Sequence, residues 1–230
     1  MDMKFSSRTL PFLTEAGQQT DPNWLEQNQA TYEAHVRGPF IDLAERLKAA
    51  LQPSVPDYHF PIKGIGRIKR ATHHVVSGGP CFKDWLSISI SKPSYSRFER
   101  NPHLFFGILP NIPQYMGVVV AGGLFMPSGP QLRKVRSAIA QDARLFHALF
   151  DDPTFKARFK TNFSREEVAS RPPRGFDPDH PDMDWLRLKK FLVVKKLTNA
   201  EFTSRDLVPA VVEDFKQLVR LNRFLENALT

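Results

Sequence analysis

The clearest hydropathy pattern in the chain is Leu86-Ser87-Ile88-Ser89-Ile90-Ser91, where apolar and polar residues change place at every step. Successive side chains of a strand point to opposite faces, so this period of two predicts a strand with one buried face. A different period governs the first fifth of the chain. Phe40, Leu43, Ala44, Leu47, Ala50 and Leu51 recur at i, i+3, i+4 and i+7, which lays apolar side chains along one stripe of a helix. Upstream, Leu10, Phe12 and Leu13 mark a short helix over Thr9 to Ala16. Asp21-Pro22 then offers an acidic cap followed by proline at the first helical position. Trp24, Leu25, Asn28, Tyr32 and Val36 fall near one face. Gly38-Pro39 is expected to break this run and restart it, and Pro53 to Pro56 to end it.

The middle of the chain is extended. Phe60 to Thr72 is mixed, with Ile62, Ile65 and Ile68 interrupted by glycines. Leu104 to Leu109 and Met116 to Phe125 predict two more strands, joined by Pro110-Asn111-Ile112-Pro113. Ser128-Gly129-Pro130 starts a helix whose buried stripe is Leu132, Val135, Ile139, Phe146 and Leu149. Asp151-Asp152-Pro153 ends it and caps a shorter helix through Phe155 and Phe159. Ser170 to Pro181 is a proline-rich irregular connection, Phe191 to Val194 a last strand, and a final helix from near Ser204 carries Leu207, Val211, Phe215, Leu218, Asn222 and Leu225. Closely spaced strands favour antiparallel pairing. The expected fold is a single α+β domain over residues 1–230, with N-terminal helices, a central mainly antiparallel sheet and flanking C-terminal helices.

Composition narrows the picture. The chain has 230 residues, and at that size folding removes roughly 70% of the unfolded surface from water, enough for a core without staples. Lys+Arg 32 against Asp+Glu 24 gives a net charge of +8, which favours anionic partners such as nucleic acid or phosphorylated metabolites. Cys81 is the only cysteine, so neither an intrachain disulfide nor a cysteine zinc cluster can form. The start Met1-Asp2-Met3-Lys4-Phe5 lacks the charged and apolar regions of a signal peptide. The longest apolar stretch, Met116 to Met126, falls well short of the roughly 20 residues of a membrane helix. These features place the expected protein in the cytoplasm, off the membrane, with no cofactor.

Candidate chemistry gathers between Arg67 and Phe82, which holds Arg67, Arg70, His73-His74, Gly78-Gly79-Pro80 and Cys81. Guanidinium forks suit phosphate and carboxylate because they bind them bidentately. On a strand, Arg67 and Arg70 point to opposite faces, so only a bend or bulge near Gly66 or Ala71 lets both reach one ligand. Adjacent histidines are poorly spaced for a shared metal, and none is expected; either could serve as a general base. Gly78-Gly79-Pro80 marks a turn rather than a phosphate loop, since Lys83 is not followed by Ser or Thr. Gly122-Gly123 after three valines marks a close backbone approach or a bulge. Arg174 sits in the stiff loop Pro172-Pro173-Arg174-Gly175-Phe176, before an acidic group with one imidazole, Asp177, Asp179, His180 and Asp182.

The order and spacing of several pieces are similar to a family of conserved hypothetical bacterial and fungal proteins, the domain of unknown function 2461 family. The pieces are Asn23-Trp24 with Asn28, Tyr32-Glu33 and Pro39; the segment opened by Arg67; Gly122-Gly123 to Pro127; Leu132, Val135-Arg136 and Ile139; and Pro173 to Phe176 with Asp179-His180-Pro181, leading into Leu186, Leu188-Lys189 and Phe191. The resemblance implies a hallmark Arg-x-x-Arg-Asp-x-Arg-Phe, then Asp/Asn-Lys and Tyr. Arg67 and Arg70 match it. Ala71, His73 and His74 replace its aspartate, arginine and phenylalanine, Gly78-Gly79 its Asp/Asn-Lys, and Phe82 its tyrosine. Lys83 keeps a lysine that often follows. A centre that the family carries there is therefore lost or altered in this member.

Three functional expectations result. The first is a binding protein in which Arg67, Arg70, Lys83 and Arg174, with Arg136, hold a phosphorylated small molecule or nucleic acid. The second is an enzyme of hydrolase or transferase type, with His73 or His74 as base and arginines stabilising negative charge. The third is a protein-interaction module, marked by an exposed apolar patch instead of a charged cleft.

Overall fold

The computed structural model describes residues 4–93, 100–159 and 167–230. Before the first strand come α1 (Thr9–Ala16), the single turns α2 (Trp24–Gln27) and α3 (Gln29–Tyr32), and α4 (Gly38–Leu51). Strands β1 (Leu86–Ser91), β2 (His103–Leu109), β3 (Gly117–Leu124) and β4 (Phe191–Leu197) form one antiparallel sheet in the order β1-β2-β3-β4. Between β3 and β4 lie α5 (Gly129–Gln141), α6 (Arg144–Asp151), α7 (Pro153–Arg158) and α8 (Met183–Leu186). After β4 come α9 (Asn199–Thr203) and α10 (Leu207–Leu229). The class is α+β, as the mixture of periods predicts. No helix among the described residues is long and apolar enough to cross a membrane.

Burial along the strands follows their place in the sheet. In β1, an edge strand, Leu86, Ile88 and Ile90 are buried while Ser89 is exposed. β3, an inner strand, is buried from Val118 to Leu124, so its sequence reads as an unbroken apolar run.

The described residues gather into two compact units. The first takes its residues from 1–90, 105–120 and 196–213. Its aromatic core links α1 to the following turns: Phe12 lies 5.2 Å from Trp24 and 6.0 Å from Tyr32, and Trp24 lies 5.7 Å from Phe82, between ring centroids. Here the expected break at Gly38-Pro39 does not occur. Proline has no N–H, so the carbonyl of His35, four residues back, loses its helical donor. The fully buried Thr9 supplies one instead, its Oγ1 donating to the His35 carbonyl at 2.7 Å. The helix continues through the Gly-Pro step by way of a π turn over Glu33–Arg37.

The second unit takes its residues from 91–104, 121–195 and 214–230. The helix expected to run from Ser128 to Leu149 is divided into α5 and α6. Asp142 is extended, and its carboxylate accepts from the backbone of Arg144 at 3.0 Å and from its guanidinium at 2.9 Å. This local side-chain turn competes with the helix and restarts it. Phe146, Phe150, Phe155 and Trp185 then pack together, with centroids 4.6 Å apart for Phe146–Phe150 and 4.7 Å for Phe150–Trp185.

Two features of this unit govern its stability. Gly123 has φ +123°, and a Cβ there would overlap the carbonyl oxygen of Phe191, while a Cβ on Gly122 would meet that of Leu218 at 2.7 Å. The glycine pair thus brings the backbone of β3 against both β4 and α10. On α10, Asp214 is fully buried and holds two cations, Arg158 Nη1 and Lys195 Nζ, each at 2.8 Å. Removing one partner of such a group leaves uncompensated charge inside the protein.

Asp214→Ala is expected to destabilise the second unit by about 3–5 kcal/mol, read from urea denaturation; a loss under about 1 kcal/mol contradicts this account. Gly123→Ala is expected to cost about 3 kcal/mol or more, because the strained φ and the clash with Phe191 add. A melting temperature equal to the parent's would show that the strand pair absorbs the methyl group.

Candidate functional site

The first unit presents a cationic group built on a two-bond bridge. Lys69 and Phe82 pair as an isolated antiparallel bridge, framed by Arg70 N–H donating to the Cys81 carbonyl at 2.9 Å and Lys83 N–H to the Ile68 carbonyl at 2.8 Å. Faces alternate along both segments, so Arg70 and Lys83 share one side of this ladder and are diagonal neighbours. Ile68 and Phe82, both fully buried, anchor the bridge in the core from its two faces. Cys81 is tied down as well: its N–H donates to the Gln19 carbonyl at 2.8 Å and its Sγ to the Thr20 carbonyl at 3.2 Å.

The chain turns just before Arg67. Gly64 and Gly66 both have positive φ, +76° and +80°, which glycine adopts without strain. The buried Tyr32 hydroxyl donates to the Gly66 carbonyl and fixes this turn. A Cβ at Gly66 would sit 3.2 Å from Arg37 Cγ, so the turn lies close against the helical segment. Gly66, one of the two positions where the sequence suggests a bend, lies in this turn. Burial pushes the Tyr32 hydroxyl up to about 12, although Ile68 and the charges of Arg37 and Arg67 pull the other way. The phenol stays protonated and remains a donor.

Lys83 feels the charges of both arginines. Partial burial, first, and then the charges of Arg70 and Arg67 lower its ammonium below the ordinary lysine value. Its Nζ sits 4.8 Å above the Trp85 ring, a cation–π contact that offsets part of the lost hydration. Arg70 is held by Nε, which donates to the Phe82 carbonyl at 3.0 Å, and its two terminal nitrogens have no hydrogen bond among the described residues. Among the described residues no carboxylate lies within ion-pair distance of Arg67, Arg70 or Lys83. Asp84, the acid next to Lys83 in sequence, accepts instead from Asn111 Nδ2 at 2.9 Å. By contrast, Arg37 is neutralised by Glu33 at 3.0 Å.

The other candidates lie elsewhere. His73 and His74 share a 3₁₀ turn, Thr72–His74, with both rings exposed and 4.1 Å apart between centroids. Neither imidazole has a hydrogen bond among the described residues. Arg136 and Arg174 belong to the second unit. Arg136 is turned inward: its Nη2 donates to the Leu188 carbonyl at 2.9 Å, and burial lowers its guanidinium below its usual range. Arg174 is exposed, on a loop whose Gly175 has φ +85° and lies beside Arg133. In that unit His180 and Asp182 meet His147, which sequence reasoning left out. His147 Nε2 lies 2.5 Å from Asp182 Oδ1, and the Asp182 N–H donates to His180 Nδ1 at 3.0 Å. No group of three or more His, Cys, Asp or Glu that could hold a metal occurs among the described residues.

Tyr32 is the member of the cationic site that sequence reasoning read as helix face only. Its signal, an aromatic on a buried stripe, is the same as that of a core residue. No curated protein and no solved structure matches the chain. A family model described as "Conserved hypothetical protein (DUF2461)" matches residues 8–224, nearly the whole length, and the chain belongs to this family.

Proposed function

We propose that the first unit binds a phosphorylated small molecule, held by the guanidiniums of Arg67 and Arg70 and the ammonium of Lys83. The observation that carries this reading is three cations without a carboxylate partner among the described residues, one of them partly dehydrated and subject to the charges of the other two. Like charges brought together in this way disfavour the ligand-free state, and an anion bound among them relieves the repulsion. The free edge of Arg70 offers a fork for two phosphate oxygens, and Lys83 adds a point charge. Where the hallmark has an aspartate beside the second arginine, this chain has Ala71, which leaves Arg70 without that acid.

A compact group on one short bridge suits a small phosphate better than a polymer, which needs a stripe of cations along its backbone. Pyrophosphate is the simplest probe. Calorimetric titration at low salt is expected to show saturable binding, weakened at least about tenfold by Arg67→Ala or Arg70→Ala, since a charge-assisted bond contributes about 1.5–3 kcal/mol. Absence of binding, or binding unchanged in the double variant, removes the proposal. Duplex DNA that binds more tightly than pyrophosphate, with affinity falling steeply in salt, assigns the site to nucleic acid instead.

Lys83 gives a second readout. With its folded value below 10.5, the unfolded chain binds more protons between the two values, so stability rises with pH across that window. Pyrophosphate bound at the site is expected to raise the Lys83 value in an NMR titration of its Nζ and to flatten that rise. A Lys83 titration unmoved by saturating pyrophosphate places the anion elsewhere.

A further inference from the structure

A second feature of the first unit, independent of the cationic group, is a hydroxyl that lines a cavity and meets an imidazole that does not line it. The cavity has a volume of about 520 Å³, within the range of small-molecule sites. Leu10, Pro11 and Phe202 form its apolar wall, and Ser6, Asn199 and Thr203 its polar one; none of its lining residues is charged. Its floor is rigid, because the buried Phe202 stacks on Phe5 with centroids 4.5 Å apart. Ser6 Oγ lies 3.1 Å from His35 Nδ1.

The backbone around this pair is over-determined. The Thr9 hydroxyl that satisfies the His35 carbonyl also accepts from the Ser6 N–H at 3.1 Å, so one side chain ties both residues together. His35 sits within the π turn, an irregularity frequent at functional sites. The Arg8 N–H donates to Ser6 Oγ at 3.2 Å, and in the tautomer with the imidazole proton on Nε2 the hydroxyl donates to Nδ1. A nucleophile and a base within hydrogen-bond reach, beside a cavity, are the minimal parts of acyl transfer.

We propose that Ser6 and His35 form an acyl-transfer site for small uncharged carboxylic esters. Ser6 Oγ attacks the ester carbonyl carbon while its proton passes to His35 Nδ1. As the C–O bond to the leaving group breaks, that proton goes to the departing oxygen and an alcohol is released. Water then attacks the acyl-serine, giving its proton to His35; the carboxylic acid leaves, and the proton returns to Ser6 Oγ. The uncharged walls select a neutral acyl group, in contrast to the phosphate read for the cationic group. Leu10 lies on the cavity wall in the first turn of α1; Thr9 N–H donates to the Ser6 carbonyl, Pro11 has no N–H and Phe12 N–H donates to the Arg8 carbonyl, so the Leu10 N–H is the one donor of that turn left for a developing oxyanion.

The test uses the full chain and p-nitrophenyl acetate, with nitrophenolate release followed and the acylated peptide mapped by mass spectrometry. One acetyl group on Ser6 is expected, with a release burst of about one equivalent. His35→Gln keeps a hydrogen-bond partner for Ser6 but takes no proton, so it is expected to slow acylation at least about 100-fold. Asn199→Trp fills the cavity from α9 and leaves the pair intact; it is expected to block acylation even if His35→Gln fails to fold. Acetyl groups confined to lysines or to Ser7, or a rate unchanged in either folded variant, overturns the proposal.

Discussion

Tyr32 is almost fully buried, and its hydroxyl donates to the carbonyl of Gly66, 34 residues away. One helical turn later the His35 carbonyl, stripped of its donor by Pro39, takes a proton donor from Thr9, 26 residues back. Both are cases of one constraint: a polar group removed from water must find a partner inside the protein. The first unit satisfies that constraint with contacts between distant stretches of chain. The Tyr32 bond fixes the turn that precedes Arg67, and the Thr9 bond fixes the backbone that sets His35 against Ser6. The two candidate sites therefore depend on the same short helical run.

The arginines divide by how their charge is satisfied. Arg158 shares the buried Asp214 with Lys195, Arg37 pairs with Glu33, and Arg136 points into the protein at a carbonyl oxygen. These side chains hold structure together. Arg67 and Arg70 are different: their charges bear on a third cation, Lys83, and among the described residues no acid is near enough to pair with them. An arrangement that raises the energy of the folded chain without a structural return is the kind of compromise that binding sites make.

Much of the fold was legible in the pattern. α1 occupies the span that Leu10, Phe12 and Leu13 predict, and the alternation from Leu86 to Ser91 is β1 residue for residue. The Gly122-Gly123 pair was readable as a close approach, because the absence of a side chain is itself a signal. Two of the expectations failed for opposite reasons, one tertiary and one local. Pro39 does not break its helix, since a tertiary donor replaces the lost bond, and Asp142 divides a helix that its apolar stripe continues across.

The candidate sites were less legible than the fold. Residue type and spacing marked Arg67, Arg70 and Lys83 as cations on a short segment, and the glycine at 66 as the place where the chain could bend. Sequence alone thus determined the elements, their order and the stock of charged groups, because these rest on short-range periodicity and composition. Only the tertiary structure decided which charges meet, which are neutralised and which hydroxyl faces which imidazole. Those outcomes depend on hydrogen bonds such as Tyr32 to Gly66 and Ser6 to His35, whose partners lie 34 and 29 residues apart and leave no periodic trace in the chain.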